Sequence, residues 1–291
     1  MEAVPPQDPR RGKALGAPVP DARLTAPLDE PASGSITVAF LISSDAQVID
    51  FAGPWGVFEY VQVGDDRRRP FALYTVAATT APVQVSGGMT IVPNHDVDTA
   101  PAPDIVVVPA MNLETLAPEA LAWLHRVHER TAVTMSVCDG SFVLAQAGLL
   151  HGATATAHHH SYSALRAMFP DVDVVRGLRY IESGRTATSG GLTSGIDLAL
   201  RVVERYHGRA IAQQTAAFLE YQGTGWMHPT SNSEFTDRPN STPQHPLCPV
   251  CEMAIPVDTA LTREHEGITW HLCGKWCADH FDATPARFII R

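Results

Sequence analysis

The amino-acid sequence predicts an α/β sandwich on a mainly parallel sheet, followed by a small module held by four cysteines. Three observations carry this expectation. Short apolar runs suited to buried parallel strands alternate with segments that are apolar at helical spacing. Four of the five cysteines (Cys248, Cys251, Cys273 and Cys277) crowd into the end of the chain, and Cys138 stands alone in its middle. Between body and tail the composition turns polar and proline-rich.

The elements follow in order. Residues 1–35 are rich in Pro, Ala, Asp and Arg without periodicity, and read as a disordered N-terminal arm. The body, 36–223, opens with the apolar run Ser35 to Ile42, and similar runs recur at Phe71 to Val76, Ile105 to Val108 and Val133 to Val137. Helical patterns lie at Pro54 to Val61, Leu116 to Arg130, Ser141 to Leu150, Ile196 to Tyr206 and Ile211 to Tyr221. In such a sheet, ligands sit beyond the carboxyl ends of the strands. Residues 224–246 read as a linker. Residues 247–291 form a module too short to be stable on an apolar core alone, so it needs a staple.

Composition narrows the function classes. Lys plus Arg is 21 and Asp plus Glu is 31, so the net charge is 21 − 31 = −10. Duplex nucleic acid calls for a basic footprint, so no nucleic-acid partner is expected. Hydrophobic residues at 45% against 18% charged supply a sizeable core and argue against global disorder. No apolar run reaches the roughly 18 residues of a membrane span. Arg10, Arg11 and Lys13 precede no apolar stretch, so no secretory signal is expected. Clustered rather than dispersed cysteines agree with a reducing, cytoplasmic setting.

Cys138 sits where a strand ends at Val137 and a helix begins almost at once. That turn lifts the side chain toward the crevice and places the sulfur at the positive end of a helix, which favours thiolate. Backbone N–H groups of the same turn can face a developing oxyanion. An arbitrary lone cysteine is usually a small buried hydrophobe. The flanking strand, Gly140 and the immediate helix favour a nucleophile elbow instead.

The stretch Ser136-Val137-Cys138-Asp139-Gly140-Ser141-Phe142 through Ala157-His158 resembles the nucleophile region of the ThiJ/PfpI family, in the class I glutamine amidotransferase-like superfamily. Val48-Ile49-Asp50-Phe51-Ala52-Gly53-Pro54 resembles that family's acidic motif, and Thr188-Ser189-Gly190-Gly191-Leu192 through Leu200 its late Gly-rich turn. The resemblance covers roughly 36–222. Its Asp-x-Ala-Gly-Pro form is closest to the isocyanide hydratase branch and to the sensor half of some transcription regulators.

The resemblance implies a flavodoxin-like α/β sandwich, a homodimer, a small-molecule substrate, and no cofactor for the catalytic domain. It makes Cys138 the nucleophile and Asp50 the acid that hydrogen-bonds it. It makes His158 a second proton carrier, and the backbone N–H groups of Ala110 and Asp139 the oxyanion donors. Attack of the thiolate on an isocyanide carbon would give a thioimidate, and water would release an N-substituted formamide. The plainer reading of Asp50 is a helix cap before Pro54.

Several positions depart from the family pattern. Asp139 stands where protease-like members carry His and the hydratase branch Thr. Peptidase activity is therefore disfavoured, and Asp139 either replaces Thr as a base or suppresses the thiolate. Pro109-Ala110-Met111-Asn112 replaces a Gly-Gly loop. His159 and His160 read as a partly exposed loop, and a metal site built from Cys138 and the three histidines is the weaker alternative.

In the tail, Cys248-x2-Cys251 and Cys273-x3-Cys277 suit a tetrahedral Zn(II) or a soft Cu(I) ion. A purely structural zinc knuckle is the plainest form. The segment 247–291 also resembles the YHS domain, a metal-handling module. Cys248-Pro249-Val250-Cys251-Glu252-Met253 parallels its opening signature, with Glu252 where Gly is usual and Leu272 where an aromatic is usual. Met253, His271 and His280 read as packing or surface.

Two functions follow. One is an isocyanide hydratase-like lyase, or a related cysteine hydrolase, carrying a metal-binding module. The other is a non-catalytic ligand, redox or heavy-metal sensor or chaperone on the same scaffold. A regulator with its own DNA-binding half is disfavoured, because no helix-turn-helix follows the body.

Overall fold

Strands that read as unbroken apolar runs need cover on both faces, and alternate residues of each central strand enter different cores. In the computed structural model, which describes residues 26–32, 34–237, 241–242, 245–255, 258 and 260–288, this is how the sheet is built. The elements run β1 (Ile36–Leu41), α1 (Val48–Tyr60), β2 (Phe71–Ala77), β3 (Val83–Gln84), β4 (Thr90–Ile91), β5 (His95–Asp96) and β6 (Ile105–Val108). They continue as α2 (Pro118–His128), β7 (Val133–Ser136), α3 (Gly140–Gln146), β8 (Thr154–Ala155), α4 (Tyr162–Met168), β9 (Asp173–Val174), β10 (Tyr180–Ser183), β11 (Thr186–Ser189) and α5 (Ser194–Phe218). The tail adds β12 (Leu261–His265), β13 (Ile268–Leu272), α6 (Lys275–Ala283) and α7 (Pro285–Phe288).

The main sheet has seven strands in the order β10-β11-β7-β6-β1-β2-β5, parallel except for the β10–β11 hairpin. Val38, Phe40, Ile105 and Val107 face the core covered by α1 and α5, and Ala39, Leu41, Val106 and Val108 face the opposite core with Trp123 and Leu124 of α2. The expected α/β sandwich with a mainly parallel sheet is the observed fold.

Local boundaries differ from expectation in ways packing explains. Helix α1 starts at Val48, and Pro54, read as a helix start, lies inside it. Asp50, Phe51, Pro54, Val57 and Phe58 form the buried stripe of this helix, and that burial outweighs the hydrogen bond Pro54 cannot donate. The two late helical patterns are one element interrupted at Gly208, whose φ of 82° and ψ of 165° are not helical. The short strand β10 carries no sequence signal, and β11 only that of the strand-to-helix turn at Thr188-Ser189-Gly190-Gly191. Thr186–Ser189 is small and polar yet buried along its whole length, so it lacks the apolar signal of a core strand.

Of the segment read as an arm, residues 1–25 lie outside the described residues. Leu28 donates its N–H to the Arg205 carbonyl at 2.8 Å, and Glu30 pairs with Arg68 at 2.9 Å. Residues 225–237, inside the stretch read as a linker, pack on the body. The Trp226 N–H donates to buried Asp197 at 2.9 Å, and the Tyr180 hydroxyl donates to the Trp226 carbonyl at 2.7 Å. The tail shares a core with the body: Phe142, Tyr162 and Leu165 cluster with Cys248, Leu272 and Phe281. No helix among the described residues is long and apolar enough to cross a membrane.

Candidate active site

The chain turns from β7 into α3 over three residues, Val137 to Asp139. Cys138 occupies this elbow at φ 58°, a left-handed conformation that costs a non-glycine residue about 1–3 kcal/mol and is held only where the surroundings over-determine it. Here the Cys138 N–H donates to the Gly190 carbonyl at 3.0 Å, and the Val137 N–H to the Val108 carbonyl at 3.0 Å. Gly140 is required: a Cβ there would lie 2.1 Å from the Val108 carbonyl oxygen. The residue pattern that marked the elbow in the sequence therefore has a steric cause.

Cys138 is buried but lines an open cleft of about 440 Å³, together with Ala110, Met111, Asn112, Asp139, His158 and Leu192. The cleft lies at the carboxyl ends of β6, β7 and β11, as expected for a parallel sheet.

Asp50, fully buried in the first turn of α1, accepts the Ala110 N–H through Oδ2 at 3.1 Å. Its Oδ1 is buried with no hydrogen-bond partner. Burial pushes its pKa up to about 7, against the lowering effect of the Ala110 N–H, and the charge of Asp139 adds to the rise. Asp139 accepts the Ser161 hydroxyl through Oδ2 at 2.9 Å and the backbone N–H of His158. Its Oδ1 is likewise without a partner, and burial lifts its pKa to about 6. Two carboxyls that resist ionisation thus flank one sulfur.

The thiol itself is pushed well up from its ordinary range, first by burial, then by Asp139 and by Asp50. The N–H groups of Asp139 and Leu192 act in the other direction. This corrects the expectation of a resting thiolate. Helix α3 has only seven residues, and its field does not outweigh desolvation and two acids. The expected oxyanion donors are also placed differently. The Ala110 N–H is taken by Asp50, whereas the Asp139 N–H and the unanticipated Leu192 N–H lie against the sulfur. Leu192 sits at φ 51°, directly after Gly190-Gly191, and that turn was the only signal for it.

His158 reaches the same cleft. Its Nδ1 accepts the His160 N–H at 3.3 Å, which assigns the ring proton to Nε2. Burial and the two neighbouring histidines push its pKa down to about 4, so it is a neutral donor at pH 7. Its ring edge lies over Gly191, where a Cβ would come within 2.2 Å of Cδ2. His159 stacks on Phe235, and the ring nitrogens of His158, His159 and His160 lie within 4.8 Å of one another.

In the tail, the sulfurs of Cys248, Cys251, Cys273 and Cys277 all lie within 4.8 Å of one another, with Cys251–Cys273 and Cys273–Cys277 at 3.4 Å. Such crowding lets one thiol ionise at its neighbours' expense. Hydrogen bonds from Cys251 and Cys277 pull Cys248 down, while Cys248 pushes both of them up. A four-sulfur set of this spread can hold a metal ion, whose positive charge would relieve that conflict.

Sheet order, elbow and cleft together define the α/β class in which a strand-end cysteine faces the crest of a parallel sheet. Within that class the chain belongs to the DJ-1/PfpI family, whose profile matches residues 36–205. It is 28% identical over 192 residues to the isonitrile hydratase of Pseudomonas putida, covering 64% of this chain and 79% of that one. It is 32% identical over 146 residues to the HTH-type transcriptional regulator CdhR of Pseudomonas aeruginosa, covering 49% of this chain and 43% of the regulator. The chain therefore spans less than half the length of that relative. Among solved structures, a ThiJ/PfpI family protein from Pseudomonas syringae superposes with a TM-score of 0.58 at 26% identity, over 76% of this chain and 83% of that one.

Proposed function

We propose that this protein is a cysteine-dependent hydratase of small C–N compounds, which converts an isocyanide to an N-substituted formamide. The observation that carries the reading is the strained Cys138 elbow at a cleft, flanked by two carboxyls with pKa values of about 7 and about 6. The pair shares one proton, which rests mainly on Asp50 and passes to Asp139 in the reactive form, so that Asp50 is then the base and Asp139 the acid. Asp50 does not line the cleft, and its unpartnered Oδ1 is the oxygen available to take the Sγ proton as the S–C bond forms. Asp139 lines the cleft and gives its proton to the isocyanide carbon, which leaves an S-linked thioimidate.

Water then adds to that carbon, with one of its protons passing to nitrogen through Asp139. The C–S bond breaks, Asp50 returns its proton to sulfur, and the remaining hydroxyl proton restores Asp139. One isocyanide and one water yield one formamide. Neutral His158, with its proton on Nε2, donates a hydrogen bond to the nitrogen of the thioimidate as it forms. The Asp139 and Leu192 N–H groups steady the charge on sulfur.

The same proposal places a catalytic domain at 36–223 and a YHS-like metal-binding domain at 247–291, joined by 224–246, and takes the working unit to be a homodimer. Cys248, Cys251, Cys273 and Cys277 would hold zinc or copper, and the bound ion would supply cross-linking of a short module. Elemental analysis of the purified protein beside a Cys248→Ser, Cys251→Ser variant tests this part: one ion per chain is expected in the first and none in the second. Turnover tests the chemistry. Wild type is expected to form formamide from an isocyanide, and Cys138→Ala none. If wild type consumes neither an isocyanide nor an amide, the hydratase reading fails.

A second reading is favoured by one observation, the pair of acids that raises the thiol. A thiol so raised, first by burial and then by Asp139 and Asp50, suits a non-catalytic ligand sensor rather than an oxidant sensor, and the regulator CdhR is among the relatives. Ligand binding without turnover, with Cys138 unmodified, would support it.

A further inference from the structure

Glu252 follows Cys251 directly and has a φ of 61°, in the left-handed region that favours glycine. Its side chain is buried, at 7% exposure, yet it points out of the tail and into the body. Oε1 accepts the Ser163 hydroxyl at 2.5 Å, and Oε2 pairs with Arg176 Nη1 at 2.7 Å. Arg176 is fixed in turn by the carbonyls of Thr236 and Asp237, both at 3.1 Å, and lies over the Tyr162 ring at 4.8 Å. A buried carboxylate at a strained backbone position needs such partners to persist.

One of these partners, Ser163, lies on the element whose N-terminal end also holds the active-site acid. Tyr162 and Ser163 form the first turn of α4, and Ser161 immediately before it donates its hydroxyl to Asp139 at 2.9 Å. His158, at the start of the same loop, gives Asp139 its backbone N–H. A continuous path therefore runs from Cys251 through Glu252, Ser163 and Ser161 to Asp139 and Cys138.

We propose that Glu252 is a positioning residue that acts through α4 to hold Asp139 against Cys138, so that the metal state of the four-cysteine module sets the reactivity of Cys138. The proposal rests on reading Cys138 as the reactive group and the four cysteines as a metal site. Within the tail, the turn from Cys248 to Met253 carries two backbone hydrogen bonds, Glu252 N–H to Cys248 carbonyl at 2.8 Å and Cys248 N–H to Met253 carbonyl at 2.9 Å, and is closed by the Leu247–Ala254 bridge. A metal ion locks the turn and with it the Glu252 carboxylate. Releasing that lock loosens the Glu252 contacts with Ser163 and Arg176 and, through Ser163, the first turn of α4, and admits water to Asp139 and Cys138. Burial is the largest influence keeping the thiol protonated, so the released state has the more reactive sulfur.

The test uses the full-length protein with Zn(II) bound and after chelation. Alkylation of Cys138 by iodoacetamide is followed by peptide-resolved mass spectrometry across pH 6 to 10, with zinc content measured in parallel. In wild type, zinc removal is expected to speed Cys138 alkylation about fivefold or more, the lower end of ordinary coupling between sites, and to move its pH profile downward. Glu252→Gln is expected to keep its zinc and yet show the faster, zinc-independent profile. Ser161→Ala, remote from the four tail cysteines, is expected to show the same profile with zinc in place.

One zinc per chain with a Cys138 rate unchanged by chelation would overturn the coupling and leave the metal module standing. Absence of both bound zinc and bound copper in wild type would overturn the module and the coupling together. A coupling present in a protein that hydrates no isocyanide would leave this inference intact and remove only the hydratase reading.

Discussion

Asp50 accepts the backbone N–H of Ala110 at 3.1 Å, and this bond removes from the cleft a donor that the loop after β6 would otherwise present to an oxyanion. The same bond is the only one the Asp50 carboxyl makes among the described residues, and Oδ1 is buried without a partner. A carboxyl held by one oxygen and orphaned at the other resists ionisation, and that property suits proton transfer at neutral pH.

Asp50→Asn is expected to be more stable and nearly inactive. The Asn carbonyl oxygen can still accept the Ala110 N–H, and no charge is forced into the buried site. Wild type carries that burden at pH 8, where a pKa raised from 3.8 to about 7 corresponds to a few kcal/mol of lost stability. Chemical denaturation at pH 8 should show the variant more stable by on the order of 2 kcal/mol. Formamide production should fall by roughly 10²–10⁴. A variant that is less stable and fully active would contradict both assignments.

The sign of the pH dependence follows from the same groups. Asp50 and Asp139 have folded pKa values of about 7 and about 6, above the unfolded value of 3.8. Between those limits the folded state binds more protons, so their contribution is complete below pH 3.8 and is lost as pH rises to 7. Urea midpoints should therefore decline across that window, and the decline should be shallower in Asp50→Asn. Catalysis should follow the singly protonated pair: kcat/KM is expected to be bell-shaped with its maximum between pH 6 and 7. A rate that climbs steadily to pH 9 would point to free thiolate chemistry instead.

Gly140→Ala is expected to disrupt the elbow. The added methyl would meet the Val108 carbonyl oxygen at 2.1 Å, against backbone that cannot rotate away. A loss of about 1–3 kcal/mol of stability is expected, with Cys138 displaced from the cleft. Thermal melting and Cys138 alkylation read the two effects separately, and a variant unchanged in both would show that the turn does not depend on this close approach.

Much of this architecture is legible in the chain because its signals are local. The runs Ile36–Leu41 and Ile105–Val108 declare buried strands by themselves, and Cys138-Asp139-Gly140 declares its turn because only glycine fits beneath Val108. The four clustered cysteines needed no tertiary information either. What stayed hidden depends on partners distant in sequence. The Ala110 N–H looks free until Asp50, sixty residues earlier, is placed beside it. Helix α1 runs through Pro54 because α5 and the sheet bury its face. Residues 225–237 look like a linker until Asp197 and Tyr180 supply partners for Trp226. The charge on Cys138 was read from one nearby helix end, whereas it is decided by burial and by two acids contributed from separate elements.

The most direct test of the central claim is intact-protein and peptide mass spectrometry after rapid mixing with an isocyanide at pH 6.5. Cys138 should transiently carry an adduct equal in mass to the isocyanide, decaying as N-substituted formamide accumulates, and Cys138→Ala should form neither. Formamide produced at the same rate by Cys138→Ala, or wild type that yields no formamide and no adduct at that sulfur, would contradict it.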